Sequence, residues 1–548
     1  MKLIECVPNF SEGRDRAVID AIVAEIAATP GAVLMDVDPG AATNRTVVTF
    51  IGEPDAVEEA AFRAIKKAAA TIDMTRHTGE HPRMGATDVC PFVPVAGATM
   101  EDCVAIAKRL GKRVGDELGI PVYLYESAAA RPERKSLADI RKGEYEALPE
   151  KMKDAAFAPD FGPARFNARS GATVIGAREF LIAYNVNLNT RDKKLAGVIA
   201  EALREAGTSK RGADGTSAKV PGRFKECRAV GWYIEEFGRA QVSINLTNYK
   251  VTPLHEVFDA ACEEAAKLGL RVTGSELVGM IPREAILAAG DHYLAKQGKT
   301  NGVPENERVH AAVLSLGLSE LAAFTPSLKV IEYRYAGGPS GLVAMTVRDF
   351  ADELSSNSPA PGGGSVAALC GALSASLVAM VAALTWSKSG MEAARPAMRA
   401  AGTEAQALKD WFLTAVDRDT EAFNAVLAAT RLPKKSEAEI AARSGAIECA
   451  SQGAAKVPLE VLEATIRVLD LSYRAAREGN PNSVSDAGVA GAAALAAAEG
   501  AALNVRINAP SLTDRTVADE YLARQATALA RARDLAEKVR IAVDQILG

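Results

Sequence analysis

"VAALCGALSASLVAMVAALTW", residues 366–386, is the stretch on which the fold turns. It runs 21 residues without a charge, long enough to cross a bilayer. Two readings compete for it: a membrane span, or a helix buried on all sides within a bundle. Its apolar content is mostly alanine, with serine and glycine interspersed, and it lacks an aromatic belt. Many amphipathic helical segments follow it. The bundle reading fits these residues better, and the chain is expected to be soluble rather than membrane-bound.

Working outward, alanine-rich helical segments run from about residue 344 to 548, interrupted at "SSNSPAPGGGS" (355–365), "RLPKKS" (431–436) and "REGNPNSVSD" (477–486). Strand signals are absent there, which predicts an all-helical bundle domain. Upstream the character is different. "KLIECVPNF" (2–10), "AVLMDVD" (32–38), "NRTVVTFIG" (44–52) and "PVYLYES" (121–127) read as strands. Helices are expected over 15–29, 55–71 and 101–118, the first stopping before Pro30-Gly31. A second unit starts near Ala177. There "FLIAYNVNL" (180–188), "CRAVGWYIEEFGRAQVSINLTNY" (227–249) and a helix over 255–268 suggest the split βαβ arrangement. The Gly/Ser/Lys-rich stretch 205–225 between them reads as a loop, mobile or ordered by a ligand. The fold expected is therefore multidomain. Two α/β subdomains (1–177 and 178–327) and a linker (328–343) precede a helical domain (344–548).

Charge and cysteine usage narrow the function classes. The 64 basic and 69 acidic side chains leave a net charge of −5, which argues against general nucleic-acid binding. Seven dispersed cysteines without a C-x-x-C pair suit reduced thiols in the cytoplasm. The N-terminal apolar run is broken by Glu5 and ended by Pro8, so no secretory leader is expected.

Four stretches bear chemistry. "RHTGEHPRMGATDVCPF" (76–92) contains His77-Thr78-Gly79-Glu80-His81, the H-x-x-E-H spacing of one class of metallopeptidase. That use needs a continuous helix, so that both histidines share a face. Gly79 and Pro82 oppose one, since a proline pushes the residue before it toward extended geometry. No third ligand suggests itself, and no metal is expected. A histidine in a polar turn flanked by Arg76, Glu80 and Arg83 suits proton transfer near neutral pH, and Pro82 fixes the direction of His81. Met84, Val89, Phe92 and Val93 send the chain on into a core. In "SNSPAPGGGSVAAL" (356–369), Gly362, Gly363, Gly364 and Ser365 lead into a helix whose free amides suit an anion or a carbonyl oxygen; a flexible cap fits equally. In "TAVDRDTEAFNAVL" (414–427), Asp419 and Phe423 share a helix face. If Phe423 points inward, Asp419 is a buried carboxylate with raised proton affinity; otherwise it is a solvated surface charge. In "GNPNSVSDAGVAGA" (479–492), Asn480, Asn482 and Ser485 read as helix caps.

Together "ECVPNFSEG" (5–13), "DVDPGAATNRT" (36–46), residues 76–92, "APDFGPARFNARSGAT" (158–173) and "PAPGGGSVAAL" (359–369) resemble the formimidoyltransferase-cyclodeaminase family, bifunctional folate enzymes of histidine breakdown. The resemblance implies transfer of a formimidoyl group from N-formimidoyl-L-glutamate to N5 of tetrahydrofolate. Closure to 5,10-methenyltetrahydrofolate with release of ammonia follows. It makes His81 and Asp419 catalytic; the chemistry of the transfer adds Asp38 as a candidate to orient or charge-balance the histidine. The resemblance assigns folate to Gly162, Pro163, Ala164, Arg165, Phe166, Asn167, Ala168, Arg169, Ser170 and Gly171; in the helical domain the glycine turn of Gly363, Gly364 and Ser365 is the candidate to accommodate folate. It further implies tetrahydrofolate as a polyglutamylated co-substrate and a ring-like homo-oligomer. Two alternatives stand beside it: a metal-dependent amidohydrolase or peptidase using the HTGEH motif, and a catalytically inactive folate-binding scaffold.

Overall fold

Pro8 splits the first strand in two. β1 (Leu3–Cys6) and β2 (Asn9–Phe10) lie between the same two neighbours, and across the break the Pro8 carbonyl still accepts from the Val48 N–H at 3.0 Å. This is a computed structural model that describes residues 2–41, 43–79, 82–211, 217–337 and 341–548. The neighbours are β4 (Arg45–Gly52) and β5 (Thr87–Ala96), with β3 (Ala32–Gly40) beyond β4 and β7 (Thr173–Ala177) and β6 (Val122–Glu126) beyond β5. The sheet order is β3-β4-β1/β2-β5-β7-β6, parallel only at the two β7 pairings. Helices α1 (Arg16–Ala27), α2 (Pro54–Thr71) and α3 (Met100–Leu118) cover one face, burying Ile4, Cys6, Phe50 and Phe92. Strand alternation then sends Glu5, Asp36 and Thr49 to the opposite face.

The second sheet repeats that plan. β8 (Ile182–Leu188), α4 (Lys193–Leu203), β11 (Cys227–Ile234), β12 (Arg239–Leu246), α5 (Leu254–Lys267) and β13 (Val272–Val278) follow in chain order and pair antiparallel as β11-β12-β8-β13. Counting β1/β2 as one strand, both sheets contain the split βαβ order, with the first strand between the third and fourth. Tyr184, Val186, Leu188, Val242 and Ile244 are buried with the helices. The other face is amide-rich. Gln241 donates to Asn187 and Asn187 to Glu320, both at 2.7 Å, so these groups are buried yet satisfied.

The stretch 205–225, expected as a loop, instead contains β9 (Thr208–Arg211) paired antiparallel with β10 (Ser217–Val220). Its polar composition concealed the pairing, because a two-stranded ribbon needs no buried face to form its ladder.

The described residues form two compact units. One joins the chain up to Ala285 with Leu316–Ala336; the other joins Ile286–Ser315 with Gly337–Gly548. In the second, α6 (Gly363–Ser387), α7 (Arg395–Thr430), α8 (Glu437–Glu478), α9 (Val484–Asn508) and α10 (Arg515–Leu547) pack around a core built largely of alanine. The segment 286–315 leans on this bundle: Trp386 Nε1 donates to the Gly298 carbonyl at 2.8 Å and Arg399 Nε to Asn301 Oδ1 at 3.1 Å. Helix α6 was expected to be buried on all sides. It is buried along its Ala/Gly/Ser face, but Leu373, Met380 and Leu384 are 54%, 39% and 46% exposed. Their spacing puts all three on one stripe.

Small residues on α6 let α7 approach. A β-carbon on Gly371 would lie 2.6 Å from the Phe412 ring, whereas one on Gly453 of α8 would meet nothing within 4 Å. Two opposite effects are expected. Gly371→Ala overpacks the core and costs about 1–3 kcal/mol. Gly453→Ala relieves a helical glycine and gains about 0.5–1 kcal/mol. Thermal melting followed by far-UV circular dichroism checks this, and shifts of the same sign would contradict the packing.

Candidate active sites

The first site is assembled on the open face and end of the larger sheet. After a 3₁₀ turn at Met74–Arg76 the chain leaves helical geometry, so His77, Thr78 and Gly79 are not part of a helix. Glu80 and His81 lie outside the described residues, so the proton-transfer assignment of His81 rests on its sequence position. Its neighbours are firmly held. Asn44 donates to the Thr78 carbonyl at 2.9 Å and accepts from the Gly13 N–H at 3.0 Å. His77 has both ring nitrogens engaged. Arg83 Nε donates to Nδ1 at 3.3 Å, which leaves the ring proton on Nε2 facing the Asn44 carbonyl at 2.9 Å. A histidine so bonded has no lone pair for a metal. Together with the non-helical backbone at 77–79, that removes the geometry the HTGEH reading requires.

Arg83 ties the turn to the next layer. It is buried, and its guanidinium pairs with Glu144 at 3.0 Å and with Glu146 at 2.6 Å. Beneath it Asp88 accepts from the Met84 N–H at 3.0 Å and pairs with Arg141. Arg45 belongs to this charged floor. Burial lowers its hold on the proton below the usual guanidinium value, and Asp88 and Asp38 oppose that fall. Asp38, on β3 opposite Val47, is exposed.

The segment from Gly162 to Gly171 docks beside this turn. Ala86 N–H donates to the Ser170 carbonyl at 2.9 Å and Ala172 N–H to the Met84 carbonyl at 3.0 Å. Gly85 and Gly171 must both be glycine for this approach. A β-carbon at either would fall within 2.4 Å of a facing carbonyl oxygen, and Gly171 also has a φ of +66°. Further along, the Phe166 ring lies 5.4 Å from that of Tyr145, whose hydroxyl donates to the Ala168 carbonyl at 2.5 Å. Ala164, Arg165, Ala168 and Arg169 are exposed, with Pro163, Phe166 and Asn167 half-buried. Arg169 donates to the Ala70 carbonyl at 2.9 Å.

Further along the open face is a cavity of 480 Å³ lined by Glu5, Asp36, Arg178, Lys329 and Arg334, among others. Burial raises the proton affinity of Glu5, to a pKa of about 7, and Arg178 opposes the rise. Sequence reasoning used Glu5 only to exclude a leader. A lone carboxylate inside an otherwise apolar strand was the available signal for a site.

The second site lies in the helical unit. Asp419 of α7 reaches the first turn of α6, where Gly362 offers no side-chain cap. Phe423 does not bury it as expected: that ring is 36% exposed. The cover comes instead from α6. A β-carbon on Gly364 would stand 2.1 Å from Asp419 Oδ1, so only glycine admits the carboxylate there. Burial raises the Asp419 proton affinity, and hydrogen bonds from the Ser365 side chain and backbone oppose it. Gly363 is exposed at the mouth, with the Asn504 amide nearby. Ser365, a folate candidate above, is fully buried behind Asp419.

Three family models tile the chain: the formiminotransferase domain, N-terminal subdomain, over residues 3–178, the formiminotransferase domain over 183–336, and formiminotransferase-cyclodeaminase over 346–527. The formimidoyltransferase-cyclodeaminase of Mus musculus is 46% identical, covering 94% of this chain and 93% of its own. This chain belongs to the formimidoyltransferase-cyclodeaminase family. Relatives of this bifunctional family also match its parts separately. The glutamate formimidoyltransferase of Streptococcus pyogenes serotype M1 is 43% identical over 54% of the chain and 93% of its own. The methenyltetrahydrofolate cyclohydrolase of Methylorubrum extorquens is 39% identical over 35% of the chain and 93% of its own.

The His77 environment gives a pH test. Burial lowers its proton affinity below the ordinary histidine value, and Arg83 adds to that. The folded state therefore binds this proton less readily than the unfolded chain, whose imidazole titrates near pH ~6.5. Stability from this group is full above that pH and falls as the solution is acidified through it. Ring-nitrogen NMR should show the Nε2–H tautomer, with a midpoint below that of a free imidazole. A midpoint above it would contradict the assignment.

Proposed function

We propose that this chain is a bifunctional folate enzyme. It moves the formimidoyl group from N-formimidoyl-L-glutamate to N5 of tetrahydrofolate, then cyclises the product to 5,10-methenyltetrahydrofolate. The observation that carries this reading is the pattern of relatives. Bifunctional proteins match along nearly the whole chain, and proteins named for a single folate activity match its two parts.

The chemistry follows from the two sites. In the first step N5 attacks the amidinium carbon, and a tetrahedral intermediate must expel the glutamate nitrogen. N5 sheds a proton and the departing nitrogen gains one, so a single imidazole serves both transfers. We assign that role to His81, with Asp38 and Arg45 setting the local field. The pterin lies along Gly162–Gly171. The donor carries an amidinium cation and two carboxylates, and the cavity of Glu5, Asp36, Arg178, Lys329 and Arg334 offers partners of both signs.

In the second step N10 attacks the same carbon and ammonia leaves. The proton lost from N10 is the one the departing nitrogen needs. Asp419 is suited to carry it, since a half-buried carboxyl with raised proton affinity exchanges protons closer to neutral pH. Gly363 and Gly364 leave room for the folate beside it. No metal is required in either step.

Three finer points belong to the same reading. Folate enters as a polyglutamate, the chains associate into a ring, and the protein works in the cytoplasm. Seven dispersed thiols suit that compartment, and the Leu373, Met380 and Leu384 stripe suits contact with another copy.

Mixing N-formimidoyl-glutamate, tetrahydrofolate and protein should generate methenyltetrahydrofolate absorbance and free glutamate without added metal. His81→Ala should lower transfer about 100-fold or more while cyclisation of supplied 5-formimidoyltetrahydrofolate continues; Asp419→Asn should do the reverse. A folded variant that lost both activities would refute the division of labour.

A further inference from the structure

The Asp419 carboxyl has a neighbour whose chemistry suits both states of an acid. Ser365 is fully buried, and its Oγ lies 3.2 Å from Asp419 Oδ2, 2.9 Å from the Val416 carbonyl and 3.2 Å from Thr420 Oγ1. One hydroxyl proton cannot serve all three at once, but a hydroxyl both donates and accepts. We propose that Ser365, seconded by Thr420, is a positioning residue that holds the Asp419 carboxyl in each of its two protonation states. The inference rests on Asp419 being the proton carrier of the cyclisation.

The arrangement works as a turn of one hydroxyl. With Asp419 ionised, the Ser365 O–H donates to Oδ2, and Thr420 donates its own proton to Ser365 Oγ. With Asp419 protonated, its O–H donates to Ser365 Oγ, and the Ser365 proton turns to the Val416 carbonyl. In each state the Ser365 hydroxyl has an acceptor for its proton and a donor for its oxygen, so the carboxyl gains and loses a proton without moving. A fixed donor would favour only the anion, and a fixed acceptor only the acid.

A purely structural role for Asp419, capping the first turn of α6 from across the helix pair, accounts for the backbone bond from Ser365 and for Gly364. Such a cap needs only an acceptor. It leaves unexplained why a second hydroxyl, Thr420, sits within reach of the first. The nearby charges on α7 are engaged elsewhere: Asp417 accepts from the Leu342 N–H at 2.6 Å, and Arg418 pairs with Glu460 at 2.7 Å. On α6 the side of Asp419 is lined by Gly364 and Ser365, without a charge.

The test is the pH profile of cyclisation with supplied 5-formimidoyltetrahydrofolate, on variants matched to the parent in thermal melting. Of the two bonds lost with the Ser365 hydroxyl, the one to the ionised carboxylate is the stronger because it is charge-assisted, so the loss raises the carboxyl pKa, whether the acid or the base form is the active one. Ser365→Ala should therefore lower kcat about 10-fold and move the limb owed to Asp419 to higher pH by about one unit. Thr420→Val keeps the packing shape and should move that limb the same way by less. A rate lowered equally at every pH in both variants would overturn the proposal and leave Ser365 as packing. Asp419→Asn separates the two claims. If it still cyclises, the reading of Asp419 falls and this inference with it. If it is inactive while both hydroxyl variants keep the parental profile, the inference alone falls.

Discussion

At Gly85 an ordinary side chain would put its β-carbon 2.4 Å from the carbonyl oxygens of Ser170 and Ala172. The same constraint returns at Gly364, where the intruding atom would meet the Asp419 carboxylate. Both sites exist because two pieces of backbone, or backbone and an acid, come closer than any side chain permits. In the first, the approach brings the end of the 162–171 segment against residues 84–86. In the second, it lets an acid from one helix cap the next and so become half-buried without losing its hydrogen bonds. The geometry of both candidate sites is thus set by missing atoms as much as by the groups present.

Around these contacts the fold supplies rigidity. The two α/β sheets share one topological plan, each with an apolar face under helices and an opposite face that carries polar groups, although on the first sheet a second apolar cluster with Ile140 and Leu148 covers that face at β5, β6 and β7. On the first sheet this gives Glu5 and Asp36, and on the second the Asn187–Gln241–Glu320 chain of hydrogen bonds. Burial of the Asn187 and Gln241 amides is tolerable because each is hydrogen-bonded along that chain. The charged floor of Arg45, Asp88 and Arg141 follows the same rule, and Arg83 fixes His77 while itself held by two glutamates. The helical unit solves a different problem. Alanine and glycine allow close helix contact, at the expense of a sparse core and an exposed apolar stripe on α6.

Much of this was legible in the residues. Alternating strands and helices up to about residue 330, the helical remainder and the non-helical stretch at 77–79 all carry local signals of periodicity and of proline and glycine placement, whereas Asp419 was singled out by the family resemblance, its spacing leaving a solvated charge open. What was not legible depends on partners distant in sequence. Asn44 acts through Thr78 and Gly13, and Ser365 through a helix more than fifty residues away. Phe423 shows why local inference misleads: its spacing suggested a buried face, yet Asp419 is covered by the neighbouring helix rather than by its own. The ribbon of β9 and β10 was missed because backbone pairing without burial leaves no hydropathy pattern.

The central claim is that the chain holds two separate folate seats, one in each compact unit. Hydrogen–deuterium exchange with and without 5-formyltetrahydrofolate, in the absence of glutamate so that no acceptor is present, tests it directly. The account predicts slowed exchange in two places: residues 82–86 with 162–171, and residues 362–366 with 416–420. Protection confined to one of these regions, or lying outside both, would contradict it.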